Sequence, residues 1–315
     1  MATYKEIHGT NIEVLASDPS NPVEGQIWYD STLNVLKGQA YLAGAWSSSG
    51  SINSARDTLA ASGIQTAGLI FGGQAPNTGA TESFNGSNWT EVNDLNSARN
   101  GLAGNGTSTS SLAYGGEPPP AGTTESWNGT NWTAVNDLNT KRNNLSGAGA
   151  DNTSALAFGS QTSPTVLTEL WNGTNWTEVN DLNTGRGYAA GFGISTAAIF
   201  TGGLPATAIT ESWNGTNWTE VNDLNTGRYH LAAAGLSPAG LAFGGAITAD
   251  SALTESWNGT NWTELADLNT ARNGSAGLGT QAAAVCAAGS RDTPAALVSE
   301  KWADASLVTR TFDDT

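Results

Sequence analysis

The chain has 315 residues, including 39 glycines and 12 tryptophans, but only 13% of its residues are charged. So few charged side chains argue against amphipathic helices, and 38% hydrophobic residues argue against disorder. The net charge of −16 disfavours nucleic acid and anionic membrane surfaces as partners. A single cysteine, Cys286, permits no internal disulfide, and the N-terminus has no basic, apolar signal region. We therefore expect a protein made soluble in a cytoplasm, without export by the general secretion route and without membrane insertion.

Four short segments near the N-terminus have the apolar character of β-strands. They are residues 12–15, 26–29, 35–37 and 45–46. The segment around Trp28 precedes Trp46 by 18 residues, and the same spacing separates Phe71 from Trp89. This shared spacing indicates that residues 11–53 are a degenerate copy of the repeat that follows.

Three residue types recur along the chain with steps of 42 to 45 residues. The tryptophans are Trp46, Trp89, Trp132, Trp176, Trp218 and Trp262. The arginines are Arg56, Arg99, Arg142, Arg186, Arg228 and Arg272, and the glutamates are Glu82, Glu125, Glu169, Glu211, Glu255 and Glu300. Self-similarity at a fixed period is the sequence signature of repeat architectures.

One unit, residues 99–139, contains four short segments between turn signals. They are residues 102–104, 111–114, 124–127 and a segment that starts at Trp132. An Asn-Gly pair between Trp127 and Trp132 supplies the positive φ that a hairpin turn needs, so the two rings should meet across the hairpin. Four antiparallel strands repeated radially form the blades of a β-propeller, and the small first segment suits the crowded axis.

The order of an arginine, a strand ending in Gly-Gly, an aromatic strand and a tryptophan resembles the kelch repeat. The resemblance covers residues 56–312 and is carried by Phe71-Gly72-Gly73, Tyr114-Gly115-Gly116, Phe158-Gly159, Phe200-Thr201-Gly202-Gly203 and Phe243-Gly244-Gly245. It implies an all-β, kelch-like β-propeller of four-stranded antiparallel blades over residues 56–315, with repeats starting at 56, 99, 142, 186, 228 and 272. The last unit departs most, because Cys286-Ala-Ala-Gly replaces Phe-Gly-Gly.

The role of residues 1–55 decides the number of blades. The last unit supplies its own final hairpin, residues 297–302 and 307–312, so a borrowed N-terminal strand is unnecessary for closing the ring. We therefore expect seven blades, six clear repeats and a degenerate N-terminal one. The alternative is a six-bladed ring with residues 1–55 as an N-terminal attachment module.

Residues 17–32, followed by Leu36-Lys37, carry a second resemblance. They are similar to a short β module found near the start of bacteriophage fibre and appendage proteins. The transition from Ala45-Trp46 into near-identical Asn-Gly-Thr-Asn-Trp-Thr repeats is similar to a group of marine-phage proteins. This resemblance implies a virion protein, synthesised in the host cytoplasm, whose N-terminal region contacts other virion proteins.

Residues with catalytic potential are sparse. His8 and His230 lie far apart, and Cys286 falls in an alanine-rich segment where burial is expected. A kelch-type copper oxidase site would need converging histidine and tyrosine ligands, and this chain has no such histidine pair. Residues 135–139 offer oxygen ligands but lack the spacing of a Ca²⁺ loop, which favours a structural turn. We expect no enzyme activity, no metal and no cofactor.

The repeated residues invite comparison with fucose-type propeller lectins, which bind sugar with tryptophan, arginine and glutamate. A position that is identical in every blade more often builds the ring, so we favour a structural role. In that role each arginine bonds inter-blade carbonyls or pairs with a glutamate. The structural set is Trp89, Trp132, Trp176, Trp218, Trp262, Arg99, Arg142, Arg186, Arg228 and Arg272.

The loops after the second strand differ between units. In an antiparallel blade they project from the same face as the inter-blade connections, and a rigid ring with divergent polar loops on one face suits recognition. Drift in unconstrained loops is the alternative. The candidate ligand-binding residues are Gln74, Asn77, Glu117, Pro119, Gln161, Ser163, Thr248, Asp250, Arg291 and Asp292.

These expectations combine into a non-enzymatic bacteriophage structural protein, a tail or head fibre or appendage whose propeller adheres to host-surface glycan. A capsid decoration or tail-assembly protein without a receptor is the alternative within this class. A free propeller lectin or a glycan-active enzyme is the alternative from another class. The sequence shows neither a coiled coil nor a triple β-helix, and homo-oligomerisation stays open.

Overall fold

The computed structural model of the protein describes residues 12–74, 76–118, 122–163, 165–289 and 297–312. These residues form 28 strands in seven four-stranded sheets, and they include no α-helix. The chain divides into two compact units, one of Met1–Ala45 with Asp304–Thr315 and one of Trp46–Ala303. This division differs from the boundary at residue 55 that the sequence suggested. Residues 46–55 belong to the larger unit, and Asp304–Thr315 belongs to the smaller one.

The smaller unit contains one mixed sheet. Its strands are β1 (Glu13–Leu15), β2 (Ile27–Asp30), β3 (Val35–Leu42) and β28 (Ser306–Phe312), in the order β1-β2-β3-β28. The pair β1/β2 is parallel and the other two pairs are antiparallel. Trp28 is fully buried and its Nε1 donates to Asp18, which also binds Lys37 at 2.8 Å. Polar contacts thus fix the 16–26 loop over one face of this sheet.

The first three blades of the larger unit follow the repeat. Blade 1 is β5 (Ala60–Ile64), β6 (Ala67–Phe71), β7 (Thr81–Phe84) and β8 (Trp89–Val92). Blade 2 is β9 (Ala103–Gly106), β10 (Ser111–Tyr114), β11 (Thr124–Trp127) and β12 (Trp132–Val135). Blade 3 is β13 (Ser146–Asp151), β14 (Ser154–Phe158), β15 (Thr168–Trp171) and β16 (Trp176–Val179). Every neighbouring pair within these blades is antiparallel.

The remaining three blades have the same design until the last strand. Blade 4 is β17 (Ala190–Ile194), β18 (Ala197–Thr201), β19 (Thr210–Trp213) and β20 (Trp218–Val221). Blade 5 is β21 (Ala232–Leu236), β22 (Ala239–Phe243), β23 (Thr254–Trp257) and β24 (Trp262–Glu264). Blade 6 is β25 (Ala276–Gly279), β26 (Ala284–Ala287) and β27 (Ser299–Ala303), completed by β4 (Ala45–Ser48) from the other end of the chain.

The six innermost strands contact one another in sequence, and β25 contacts β5, so these blades close into a ring. A circle of six backbone hydrogen bonds of 2.7–3.0 Å shows the same closure, because each donor N–H meets the carbonyl of the equivalent residue one blade earlier. We call these residues the mouth ring: Thr58, Gly101, Asn144, Tyr188, His230 and Gly274. All six have positive φ, between 49° and 61°.

The predicted propeller of four-stranded blades is therefore present, and so are seven four-stranded sheets. The seventh sheet, however, lies in the smaller unit and is not a member of the ring. The expected C-terminal hairpin is wrong, because β28 pairs with β3 and β27 pairs with β4. Ser49 N donates to Ser299 O at 2.9 Å, which continues the β4 pairing beyond the strand.

The predicted hairpin between the third and fourth strands has the expected geometry. In blade 2, Trp127 and Trp132 lie directly opposite each other with ring centroids 5.3 Å apart. Gly129 has φ of 92°, and Asn128 Oδ1 accepts from the backbone N–H groups of Thr130 and Asn131. The Asn-Gly-Thr-Asn segments therefore form side-chain-stabilised turns.

A tryptophan on each fourth strand joins its blade to the preceding one. In four blades this ring packs edge-on against an aromatic residue of the preceding second strand, with centroids 4.8–4.9 Å apart. In five blades its Nε1 donates to a hydroxyl of the preceding third strand at 3.0–3.2 Å: Trp132 to Thr81, Trp176 to Thr124, Trp218 to Thr168, Trp46 to Thr254 and Trp89 to Ser299. Trp46 thus takes the fourth-strand position of blade 6, where the sequence had led us to expect residues 307–312.

Blade 4 is where this pattern breaks. Thr201 stands where the neighbouring blades carry an aromatic residue, and its hydroxyl hydrogen-bonds Thr210 at 2.7 Å. Within the described part of the chain, Trp262 Nε1 then has no acceptor. Trp262 packs instead on Phe192 of the inner strand, at 6.3 Å between centroids.

Each blade also contains one buried ion pair. The arginine before the first strand binds the glutamate of the third strand at 2.5–3.0 Å: Arg56–Glu82, Arg99–Glu125, Arg142–Glu169, Arg186–Glu211, Arg228–Glu255 and Arg272–Glu300. Side chains of both partners are at most 2% exposed. The second carboxylate oxygen accepts the backbone N–H of an asparagine in the incoming connection, such as Asn139 onto Glu169 at 2.8 Å. The pair thus ties the inter-blade connection to the blade that follows it.

The tryptophan bond between blades can be measured against a natural control. We expect Trp132→Phe to lower the free energy of unfolding by about 0.5–1.5 kcal/mol more than Trp262→Phe, because only Trp132 loses a hydrogen bond. Chemical denaturation of both variants measures this difference. Equal destabilisation would show that the Nε1–Thr81 bond contributes nothing.

The ion pair has a matched control within blade 3. Glu169→Gln leaves the Arg142 guanidinium buried without a counter-charge, so we expect a loss of about 3–5 kcal/mol in unfolding free energy. Glu178 lies opposite Glu169 on the adjacent strand and is exposed, so Glu178→Gln should change stability by less than about 0.5 kcal/mol. Similar losses for both variants, measured by urea denaturation, would contradict this role.

Candidate ligand-binding face

The mouth ring lies at the end of the propeller that carries the loops after the second strands. Isolated β-bridges pair the residue before a mouth-ring member with the start of such a loop: Asp57 with Gln74, Asn100 with Glu117 and Tyr229 with Ala246. The inter-blade connections reach the same end, since Leu95 N donates to Gly79 O. We call this end the loop face. It is the face that the sequence predicted for recognition.

Five of the predicted ligand-binding residues form hydrogen bonds with side chains of the mouth ring or of the residues next to it. Gln74 donates to Asp57 at 2.9 Å, Asn77 accepts from Asn100 at 2.7 Å, and Glu117 accepts from Asn143 at 2.7 Å; Gln161 accepts from Asn144 at 2.8 Å, and Asp250 accepts from Asn273. Ser163 and Thr248 are exposed on the same loops. Pro119, Arg291 and Asp292 lie outside the described residues, as does His8.

An aromatic pair stands at the centre of the loop face. The rings of Tyr188 and His230 are 4.1 Å apart, and Tyr229 lies 5.6 Å from His230. The Tyr188 hydroxyl donates to Gln161 Oε1, which also accepts from Asn144. A cavity of about 90 Å³ opens between the members of the mouth ring. Partly exposed aromatic surface therefore lies beside amide and carboxylate groups, an arrangement suited to a polyhydroxylated ligand.

Burial changes the protonation of this pair. It lowers the pKa of His230 to about 4, so the imidazole is neutral at pH 7. Burial also raises the pKa of Tyr188, and the negative charge of Glu117 adds to that shift. At neutral pH the pair is therefore an uncharged surface that offers aromatic carbon atoms and hydrogen-bonding groups.

Sequence reasoning missed the mouth ring itself. Its members stand two residues after each repeated arginine, at a position where the blades carry threonine, glycine, asparagine, tyrosine, histidine and glycine. A variable position two residues after an invariant arginine is a sequence signal of a candidate binding position. The left-handed backbone that directs these side chains toward the mouth of the channel, however, is a property of the closed ring.

The repeated residues play no part in the loop face. The tryptophans and arginines of the structural set are buried between strands, as the preceding contacts show. In residues 135–139, Asp137 accepts the backbone N–H of Thr124 and Asn136 donates to Thr174 O. Cys286 is fully buried, and burial raises the pKa of its thiol.

The lowered pKa of His230 predicts a component of acid sensitivity. Because the unfolded histidine, with a pKa near 6.5, binds a proton more readily than the folded one, the stabilisation is complete above pH 6.5 and is lost as the pH falls towards 4. Between pH 7.5 and 4.5 we expect wild type to lose about 1–3 kcal/mol more unfolding free energy than His230→Asn. Denaturation curves at both pH values measure this difference; identical pH dependence would contradict it.

Comparison with protein-family models and with curated proteins found no match to this chain. Among the described residues, no group of three or more His, Cys, Asp or Glu side chains is placed to hold a metal ion. That part of the chain also lacks a helix long and apolar enough to cross a membrane. Its function has to be inferred from the geometry of the loop face.

Proposed function

We propose that the protein is a non-enzymatic adhesion module whose loop face binds a carbohydrate. One observation carries this proposal: the side chains that differ between near-identical blades converge around one aromatic pair. The residues that recur in every blade are used in the ring, whereas Tyr188 and His230 occur once each at their positions and Gln161 is matched only by Gln74 of blade 1. A uniform scaffold with one distinctive patch is an arrangement that suits recognition.

The backbone conformation at the aromatic pair strengthens the proposal. Tyr188 and His230 hold φ of 57° and 54°, a left-handed conformation that disfavours residues with a bulky side chain. Gly101, Gly274 and Asn144 occupy the same position in other blades without that disadvantage. Thr58 holds the same conformation in blade 1, so closure of the ring does not depend on a tyrosine or histidine at this position, and a role for their side chains in binding would explain their presence.

Carbohydrate is the ligand class that fits the chemistry of this patch. The aromatic faces of Tyr188 and His230 can stack on a sugar ring, while Gln161 and Asn144 exchange hydrogen bonds with hydroxyl groups. Glu117 and Asp250 add acceptors but also negative charge to a chain of −16. A neutral or cationic sugar is consequently favoured over an acidic one.

The proposed setting is a bacteriophage particle, with the smaller unit as the attachment part. Support for this comes from the resemblance of residues 17–32 and 36–37 to phage appendage proteins, together with the separate compact unit that contains them. The propeller would then present the loop face to the host surface.

The test is an array of bacterial envelope oligosaccharides, including neutral O-antigen fragments. We expect wild type to bind a defined subset, and Tyr188→Asn to reduce that binding at least tenfold. The same variant should unfold at a denaturant concentration no lower than wild type, since asparagine adopts positive φ readily. Thr58→Asn places the same residue at the equivalent position of blade 1 and should leave binding unchanged.

Three outcomes would contradict the proposal. They are no binding to any envelope glycan, equal binding by wild type and Tyr188→Asn, and cleavage of a bound oligosaccharide detected by mass spectrometry. The first two would remove the carbohydrate site, and the third would make the protein an enzyme.

A further inference from the structure

A channel runs through the ring between the six innermost strands. Three cavities of about 90, 140 and 410 Å³ follow one another along it, because neighbouring cavities share lining residues. The smallest lies at the mouth ring, and the largest lies at the opposite end, where the first and second strands of each blade meet in a hairpin. We call this opposite end the hairpin mouth. Its volume falls within the range of about 300–1,000 Å³ that is typical of small-molecule sites.

The wall of the hairpin mouth has two chemically different arcs. One arc is apolar and comprises Ile64, Phe192, Ile194, Leu236 and Leu278. The other is polar and comprises Ser62, Asn105, Thr107 and Ser108. Glycines and alanines supply the rest of the wall, and none of the lining side chains is ionisable. The cavity is therefore uncharged and amphipathic.

Three residues of the apolar arc, Ile64, Ile194 and Leu236, are not required by the ring. Ile64 and Leu236 are each 52% exposed, so much of their surface faces water in the channel. Both follow a glycine of positive φ, and the residues that follow the equivalent glycines in blades 2 and 6 are Thr107 and Thr280. The ring thus accepts a hydroxyl at this position, and the apolar residues of blades 1, 4 and 5 leave a hydrophobic surface open to solvent, which is unfavourable unless something covers it.

We propose that the hairpin mouth is a second binding site, which takes a neutral amphiphile with an apolar body and a hydrogen-bonding end. The apolar body packs against Ile64, Ile194 and Leu236, and the polar end meets the hydroxyls of Thr107 and Ser108. A charged ligand is disfavoured, because no side chain of the wall can neutralise it and the chain's −16 charge repels anions. The site is independent of the loop face and would stand even if carbohydrate binding failed.

The test uses Prodan, a neutral naphthalene dye whose emission shifts to the blue in apolar surroundings. We expect one dye per chain with a blue-shifted emission, and at least a tenfold weaker affinity for the double variant Ile194→Thr/Leu236→Thr. Threonine occurs at this position in other blades, so the double variant should keep the wild-type denaturation midpoint within a small shift. The reciprocal change Thr280→Ile extends the apolar arc and should tighten binding.

Matched controls separate this site from other exposed apolar residues. Ile247 is 42% exposed in a loop on the loop face, so Ile247→Thr should leave the affinity for the dye unchanged. Tyr188→Asn should also leave the affinity for the dye unchanged, although we expect it to reduce carbohydrate binding at least tenfold. The proposal is overturned by absence of dye binding, by several equivalent dyes per chain, or by equal affinities of wild type and the double variant.

Discussion

The buried arginine–glutamate pair is the interaction on which the ring depends. A guanidinium and a carboxylate that are almost completely shielded from water stabilise the fold only if their remaining donors and acceptors are satisfied. Here the glutamate receives the arginine on one oxygen and the backbone N–H of an incoming asparagine on the other, so one carboxylate joins the incoming connection to the third strand. Among the described residues, Nε of Arg142 has no acceptor, so this requirement is met for the carboxylate and only in part for the guanidinium. The arginine carbonyl in turn accepts a hydrogen bond from the preceding blade: Gly116 N donates to Arg142 O at 2.9 Å. Each blade is thereby positioned by its own pair and positions its neighbour.

This uniform framework explains why function is confined to few residues. Tryptophans join outer strands, ion pairs secure the connections, and backbone hydrogen bonds close the mouth ring, so most repeated side chains already have structural partners. The freedom to vary is left to the two ends of the channel. One end carries aromatic and amide groups, and the other carries aliphatic groups beside hydroxyls. The ring therefore separates two kinds of surface chemistry by the height of one blade.

Much of this fold could be predicted from local patterns, because each blade repeats its strand lengths, turns and aromatic pairs. The partner of the closing strand could not be predicted, since pairing between segments at opposite ends of the chain leaves no local trace in the sequence. One clue was present: Trp46 has no arginine before it, and no second tryptophan follows Trp302 in the way that Trp132 follows Trp127. The loop residues lie at the same end as the inter-blade connections, as expected, whereas the sequence did not bring Tyr188 and His230 together, because their direction depends on the left-handed backbone of the closed ring.

The N-terminal strand β4 completes blade 6, and the C-terminal strand β28 completes the sheet of the smaller unit, which has a consequence for how the chain folds. Blade 6 is completed by residues about 250 positions apart, and the sheet of the smaller unit likewise needs a C-terminal strand, so neither unit can be finished during synthesis until the chain is nearly complete. Blades 1–5, which have near-identical sequences, contain all of their own strands and can form earlier, before blade 6 closes the ring. Because β4 and β27 come from opposite ends of the chain, the ring can close only when both ends are present, and the near-identical blades between them do not decide where it closes.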